Sequence, residues 1–178
     1  MTAINSQAST DKPQEALSLR PPLPSDGAAL HRLVERCPPL DPNSLYCNLL
    51  QCSHFADTAV AAECNGELVG FISGFIPPNK PDTLFVWQVA VDASMRGRGL
   101  GGKMLNELIE RSGAHYMETT VTPDNAASWG MFRSFARSRD AECKDCGPLF
   151  ERDEHFDGKH DSEHLARVGP FRKSEYDV

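Results

Sequence analysis

The sequence predicts an α/β fold in which one mixed β-sheet carries a parallel crossover in its second half. Three observations predict it. Two apolar runs, residues 58–62 and 68–76, flank Asn65-Gly66, a pair suited to the positive-φ positions of a tight antiparallel hairpin. Thr83–Val91 is a nearly continuous apolar run, as expected of a central strand buried on both faces. A segment of helical period from Leu100 to about Ser112 follows it, and then the alternating run Tyr116–Val121, which gives the strand, helix, strand order of a crossover.

The remaining elements follow in order. Leu17–Arg20 alternates and runs into Pro21, Pro22 and Pro24, so a short strand ends in a rigid connector. Ser25 or Asp26 can cap the next helix, whose buried face is Leu30, Leu33, Val34 and Cys37, and Pro38-Pro39 stops it. A second helix over residues 44–55 places Leu45, Leu49 and Cys52 on one side, with Asp41 or Asn43 as its cap. Pro123-Asp124-Asn125 starts a last helix with Ala127, Trp129, Met131, Phe132 and Phe135 as apolar members. Beyond Phe135 the chain reads as polar and irregular, with one strand over residues 147–150 and a tail rich in His and acids.

A length of 178 residues fits one domain over residues 17–178, with residues 1–16 as a disordered leader that has neither the basic nor the apolar region of a signal peptide. With 18 Lys+Arg against 25 Asp+Glu the net charge is -7, which disfavours nucleic acid and anionic membrane surfaces as partners. No apolar run is long enough to span a bilayer, so a cytoplasmic protein with its six cysteines reduced is expected. Cys143-Lys144-Asp145-Cys146 has the spacing of half a zinc knuckle, near His155, His160 and His164. A structural zinc site shows a second close pair, so free thiols and no metal are expected.

Arg96-Gly97-Arg98-Gly99-Leu100-Gly101-Gly102-Lys103 lies between the central strand and a helix. Glycines there let backbone N–H groups approach a ligand, the helix N-terminus adds its dipole, and the three cations add charge, all suited to a pyrophosphate. The spacing lacks the Gly-x-x-x-x-Gly-Lys-Ser/Thr of a P-loop and the Gly-x-Gly-x-x-Gly of a dinucleotide turn. It does fit Arg-x-x-Gly-x-Gly at Arg96, Gly99 and Gly101, which resembles the coenzyme A motif of GNAT acetyltransferases. The preceding strand Val86-Trp87-Gln88-Val89-Ala90-Val91 and the later Asn125, Ser128 and helix through Phe132 resemble that family's other cofactor segments. The likeness covers residues 17–150. It implies the GNAT acyltransferase fold, with a splay at the central strands, and acetyl-CoA as co-substrate. It also implies cofactor contacts from Gln88, Val89, Ala90 and Val91, from residues 96–103, and from Asn125, Ser128 and Phe132.

Within that superfamily, the blocks from Pro39 to Tyr46, His54-Phe55, Gly74-Phe75-Ile76-Pro77-Pro78 and from Leu84 to Val91 closely resemble diaminobutyrate acetyltransferases. This resemblance implies transfer of acetyl to the γ-amino group of 2,4-diaminobutyrate in the making of the compatible solute ectoine, by a homodimer. A substrate with two ammonium groups and one carboxylate needs acids and at least one donor for its carboxylate. Asp41 can anchor an ammonium, Tyr46 can hydrogen-bond the reacting amine, and Trp87 can form an aromatic wall, with His160 and Glu163 of the tail closing the pocket. Asp41 and Tyr46 are the catalytic candidates. GNAT enzymes often protonate the leaving thiolate with a helix tyrosine, and Phe132 holds that place here.

Simpler readings stand beside these: Asp41 as a helix cap, Trp87 as core, and the tail histidines as surface residues. At the level of function, a GNAT enzyme for another small amine and a catalytically silent coenzyme A sensor stand as the alternatives.

Overall fold

A computed structural model describes residues 16–172. Nearly all of the expected leader, and residues 173–178, lie outside them. The described residues form a seven-stranded sheet with neighbours in the order β1 (Leu17–Arg20), β2 (Val60–Cys64), β3 (Glu67–Phe75), β4 (Thr83–Val91), β5 (Tyr116–Val121), β7 (Glu163–Gly169) and β6 (Glu142–Phe150). All neighbours are antiparallel except β4 and β5, which are parallel and are joined through helix α3 (Leu100–Ser112). The hairpin between β2 and β3 turns on Asn65 at φ 51 and Gly66 at φ 84, the two positive angles that its sequence predicts.

Helices cover the two faces unequally. Helix α3 and helix α4 (Ala126–Ser138) bury Met104, Leu105, Leu108, Phe132 and Phe135 against Ile72, Leu84 and Met117 of the sheet. On the opposite face, helix α1 (Gly27–Glu35) sets Leu30, Leu33 and Val34 against Ala61, Phe71 and Ala90, and helix α2 (Leu45–Ser53) packs on α1. A four-residue helix α5 (Arg152–His155) lies between β6 and β7.

Several sequence expectations are corrected here. Ser44 caps α2 by accepting from the Cys47 N–H at 3.1 Å, so neither Asp41 nor Asn43 is a cap. The buried side of α2 is Asn48, Gln51 and Cys52, while Leu45 and Leu49 face outward. Asn48 is satisfied inside by hydrogen bonds with His31 and Gln51, which removes the cost of burying an amide. Asp26 sits at the α1 N-cap position without capping it, because its carboxylate is taken by Arg20 and by the Leu23 N–H. Strand β4 is buried on both faces only at its start, and Trp87 is 47% exposed rather than part of the core. The stretch after Phe135 is not irregular: β6 begins at Glu142, and β7 threads between β5 and β6. Ala127, expected on the apolar face of α4, is exposed.

Candidate active site

Strands β4 and β5 pair only from Thr83 opposite Tyr116 to Phe85 opposite Glu118. Beyond that point Thr119, Thr120 and Val121 pair with β7, while the rest of β4 pairs with β3, so the two central strands part. A register shift at Ser73 and Gly74 leaves Trp87 as the extra residue of a bulge in β4. The Asp92 N–H donates to the Val69 carbonyl at 2.9 Å. Strand alternation then turns the backbone groups of Ala90 and Gln88 toward β3, and those of Val89 and Val91 toward the opening. A peptide N–H of β4 is thereby presented to the space between the strands.

That space is a cleft of about 700 Å³. Its floor is Val86 to Val89 of β4 and Thr119 to Thr122 at the end of β5. The loop before α2 contributes Pro39, Leu40, Asp41 and Asn43, and α4 contributes Ser128 and Phe132 behind its cap Asn125. Arg152, Lys159, His160 and Asp161, from the segment between β6 and β7, and Glu163 at the start of β7 close the remaining side. Of the residues singled out in the sequence, the cleft gathers Asp41, Trp87, Gln88, Val89, Asn125, Ser128, Phe132, His160 and Glu163. Tyr46 is not among the lining residues. It lies in the first turn of α2 and is 70% exposed.

Hydrogen bonds fix the walls. Gln88 donates from Nε2 to the Asp41 carbonyl at 3.2 Å and accepts at Oε1 from Asn43 Nδ2 at 3.1 Å, which ties the loop to the strand. Asn125 accepts from the Ser128 N–H at 3.0 Å, and Trp129 Nε1 donates to the Thr122 carbonyl at 3.2 Å, which sets α4 against β5. His160 Nδ1 lies 2.7 Å from the Asp161 carbonyl oxygen. A carbonyl only accepts, so Nδ1 carries the hydrogen, and in the neutral ring Nε2 is left as a proton acceptor.

The glycine-rich loop lies past the C-terminal end of β4. A short turn, Ala93–Met95, precedes it and is held by Asp92, whose carboxylate accepts from the Ser94 N–H at 3.0 Å. That bond, with help from the Ser94 hydroxyl, holds the Asp92 carboxyl below its ordinary range. Gly97 and Gly99 have φ of 74 and 73. Gly99 is the N-cap of α3, so no side chain caps the helix's first N–H groups, and the loop carries the exposed side chains of Arg96, Arg98 and Lys103. This arrangement fits a pyrophosphate, and the parted strands beyond β4 fit an extended arm leading from it to the cleft. Among the described residues no three His, Cys, Asp or Glu side chains converge as a metal site would require. All six cysteines are free thiols, and among the described residues no helix is long and apolar enough to cross a membrane.

The sequence model of the Acetyltransferase (GNAT) family matches residues 28–136, more than half of the chain. The chain belongs to the GNAT acetyltransferase family. An L-2,4-diaminobutyric acid acetyltransferase of Methylotuvimicrobium alcaliphilum is 48% identical over 159 residues, covering 88% of this chain and 92% of the relative. One of Halomonas elongata is 44% identical over 167 residues, with 89% and 84% covered. Among solved structures, the diaminobutyrate acetyltransferase EctA from Paenibacillus lautus, in complex with its substrate L-2,4-diaminobutyric acid and coenzyme A, is 36% identical with a TM-score of 0.83. It covers 90% of this chain and 99% of its own. The ribosomal-protein-S18-alanine N-acetyltransferase from Escherichia coli shares the fold, with a TM-score of 0.64 at 16% identity over 92% of this chain and 99% of its own.

In this GNAT chain several cleft residues are not predicted by the sequence: Asn43, Asp124, Arg152, Lys159 and the threonines of β5. One signal was present. Ala166 and Val168 stand two residues apart before Gly169-Pro170, the spacing of one strand face followed by a stop, and a strand there would draw the preceding segment toward the sheet.

Proposed function

We propose that this GNAT enzyme moves the acetyl group of acetyl-CoA to the γ-amino nitrogen of L-2,4-diaminobutyrate, giving the precursor from which ectoine is made. The likeness to relatives of that one activity across nearly the whole of both chains carries this reading. The cleft supports it, because four carboxylates, two cations and an imidazole suit a small zwitterion with two ammonium groups.

Acetyl-CoA supplies the acetyl group, and the chain's own residues do the rest. Asp41 holds an ammonium group and Trp87 flanks it with an aromatic face. The reacting nitrogen must be a free base, so it gives up a proton, which His160 Nε2 accepts alongside the carboxylates of the lining. The Val89 N–H donates to the oxygen on which negative charge develops as the amine attacks. Phe132 offers no proton, and a thiolate leaves tolerably at neutral pH without one. Tyr46 is assigned to the amine by family resemblance alone, since it stands outside the cleft lining. Glu163 adds a second carboxylate at the tail side. Residues 96–103 take the pyrophosphate, and the parted edge of β4 the arm that follows it.

A homodimer in the cytoplasm completes the proposal. Leu45 and Leu49 on α2 and Phe55 just after it give an exposed apolar strip of the kind that a second copy would cover. A dimer mass in light scattering, lost in a Leu45→Glu, Leu49→Glu variant, is expected. A wild-type monomer would refute it. The activity is tested by thiol release from acetyl-CoA against a panel of amines. Diaminobutyrate should give the highest kcat/KM, and preference for a polyamine or a peptide N-terminus would refute the reading.

A further inference from the structure

The cleft lining holds two cations, Arg152 and Lys159. They are held very differently. The Lys159 side chain is 81% exposed, and its ammonium lies 3.5 Å from Asp157, which is still more exposed. The Arg152 side chain is 54% exposed, and the residue is tied at two points to one segment. Its backbone N–H donates to Ser162 Oγ at 2.9 Å, and its Nη1 donates to Asp161 Oδ1 at 2.8 Å. Asp161 and Ser162 lie between His160 and Glu163, so the guanidinium belongs to the same wall as the imidazole that faces the cleft.

A guanidinium has five N–H donors in a planar fork, and Asp161 takes one of them at Nη1. The fork matches a carboxylate in two parallel bonds, whereas a lysine offers a mobile point charge. The ammonium groups of the substrate have Asp41 and Glu163 to answer them. Its carboxylate needs a cation, and diamines and polyamines carry no such group. We propose that Arg152 is the specificity-determining residue that receives the α-carboxylate of the diamino acid, so that the enzyme selects an amino acid over the corresponding diamine. Asp161 orients the fork for that contact, and the Ser162 hydroxyl fixes the backbone from which it projects. The inference rests on the functional reading above and deepens it.

The test compares wild type, Arg152→Gln and Arg152→Lys with two compounds: diaminobutyrate as substrate, and 1,3-diaminopropane, which lacks the carboxylate, as competitive inhibitor. In Arg152→Gln the KM for diaminobutyrate should rise about 10-fold to 100-fold, the scale of a charge-assisted hydrogen-bonded pair. The inhibition constant of 1,3-diaminopropane and the KM for acetyl-CoA should move less than about 3-fold, within the scatter expected of a site that keeps its shape. Arg152→Lys should recover part of the loss, since it restores charge without the fork. Equal weakening of both compounds would assign Arg152 to the structure of the wall and overturn the inference, as would no weakening of either. A wild-type enzyme that does not acetylate diaminobutyrate would overturn the functional reading itself.

Discussion

The side-chain amide of Gln88 donates to the main-chain carbonyl of Asp41 at 3.2 Å while its oxygen accepts from Asn43 at 3.1 Å. One residue of the central strand thus sets the height of the loop that carries Asp41. Replacement by Leu removes both bonds, each worth ~1 kcal/mol. Gln88→Leu should therefore raise the KM for diaminobutyrate by up to about 30-fold and leave that for acetyl-CoA nearly unchanged. Unchanged kinetics for both would separate the loop from the substrate.

Asp41→Asn tests the carboxylate that this bridge positions. If it holds an ammonium, KM for diaminobutyrate rises while kcat changes little, because the contact is made equally before and during reaction. Tyr46→Phe is the companion experiment. A hydroxyl that orients or helps deprotonate the amine is worth ~10²-fold in kcat. A wild-type rate would agree with the exposed placement of Tyr46 and remove it from the mechanism.

Much of this was legible in the chain itself. The hairpin, β4, α3 and β5 stand where their residues predict, because period, glycine placement and turn chemistry agree there. Helix α2 was misread for a physical reason: Asn48 is buried and satisfied by His31 of a different helix, a partner that no local period reveals. Strand β7 was missed because Arg167 interrupts its apolar run, and that arginine is answered by the buried carboxylate of Glu118 across the sheet. The site divides in the same way. Residues on β4 and at the start of α4 were recognisable from their distance to the glycine loop. Arg152 and Lys159 reach the cleft only because β7 threads between β5 and β6 and carries the preceding segment to the splay.

The glycine loop makes a prediction that separates binding from packing. Gly99 has φ 73, and a Cβ there would meet no atom within 4 Å, so its constraint is conformation and ligand approach. Gly101 is different, since a Cβ would come within 2.6 Å of Met131 Sδ on α4. Gly99→Asp should abolish coenzyme A binding in calorimetry, because charge and bulk stand where phosphate approaches. Gly101→Ala should leave coenzyme A affinity near native and change stability by less than about 1 kcal/mol, because the flexible Met131 side chain can move aside and alanine favours the helix. Near-native coenzyme A affinity in Gly99→Asp would take the loop out of the binding site.

Asp26 provides a pH prediction remote from the site. It accepts from Arg20 Nη1 at 2.7 Å and Nη2 at 3.1 Å, and from the Leu23 N–H at 2.7 Å. The Arg20 bonds chiefly, with the Leu23 N–H assisting, hold its carboxyl below the ordinary range, and its side chain is 15% exposed. A folded-state value below the unfolded one of about 3.9 means stability that is fully present above that pH. It is lost as pH falls through the folded value. Asp26→Asn should cost about 1–2 kcal/mol at pH 7 in urea unfolding, and the gap should narrow toward pH 3. A gap that widens on acidification would contradict the pairing.

The reaction is decided by following its product with NMR after incubating the enzyme with acetyl-CoA and L-2,4-diaminobutyrate. One acetyl group per molecule is expected, on the γ-nitrogen, formed in step with free coenzyme A, if the enzyme acts as proposed. No acetylated product, or acetylation at the α-nitrogen, would contradict it.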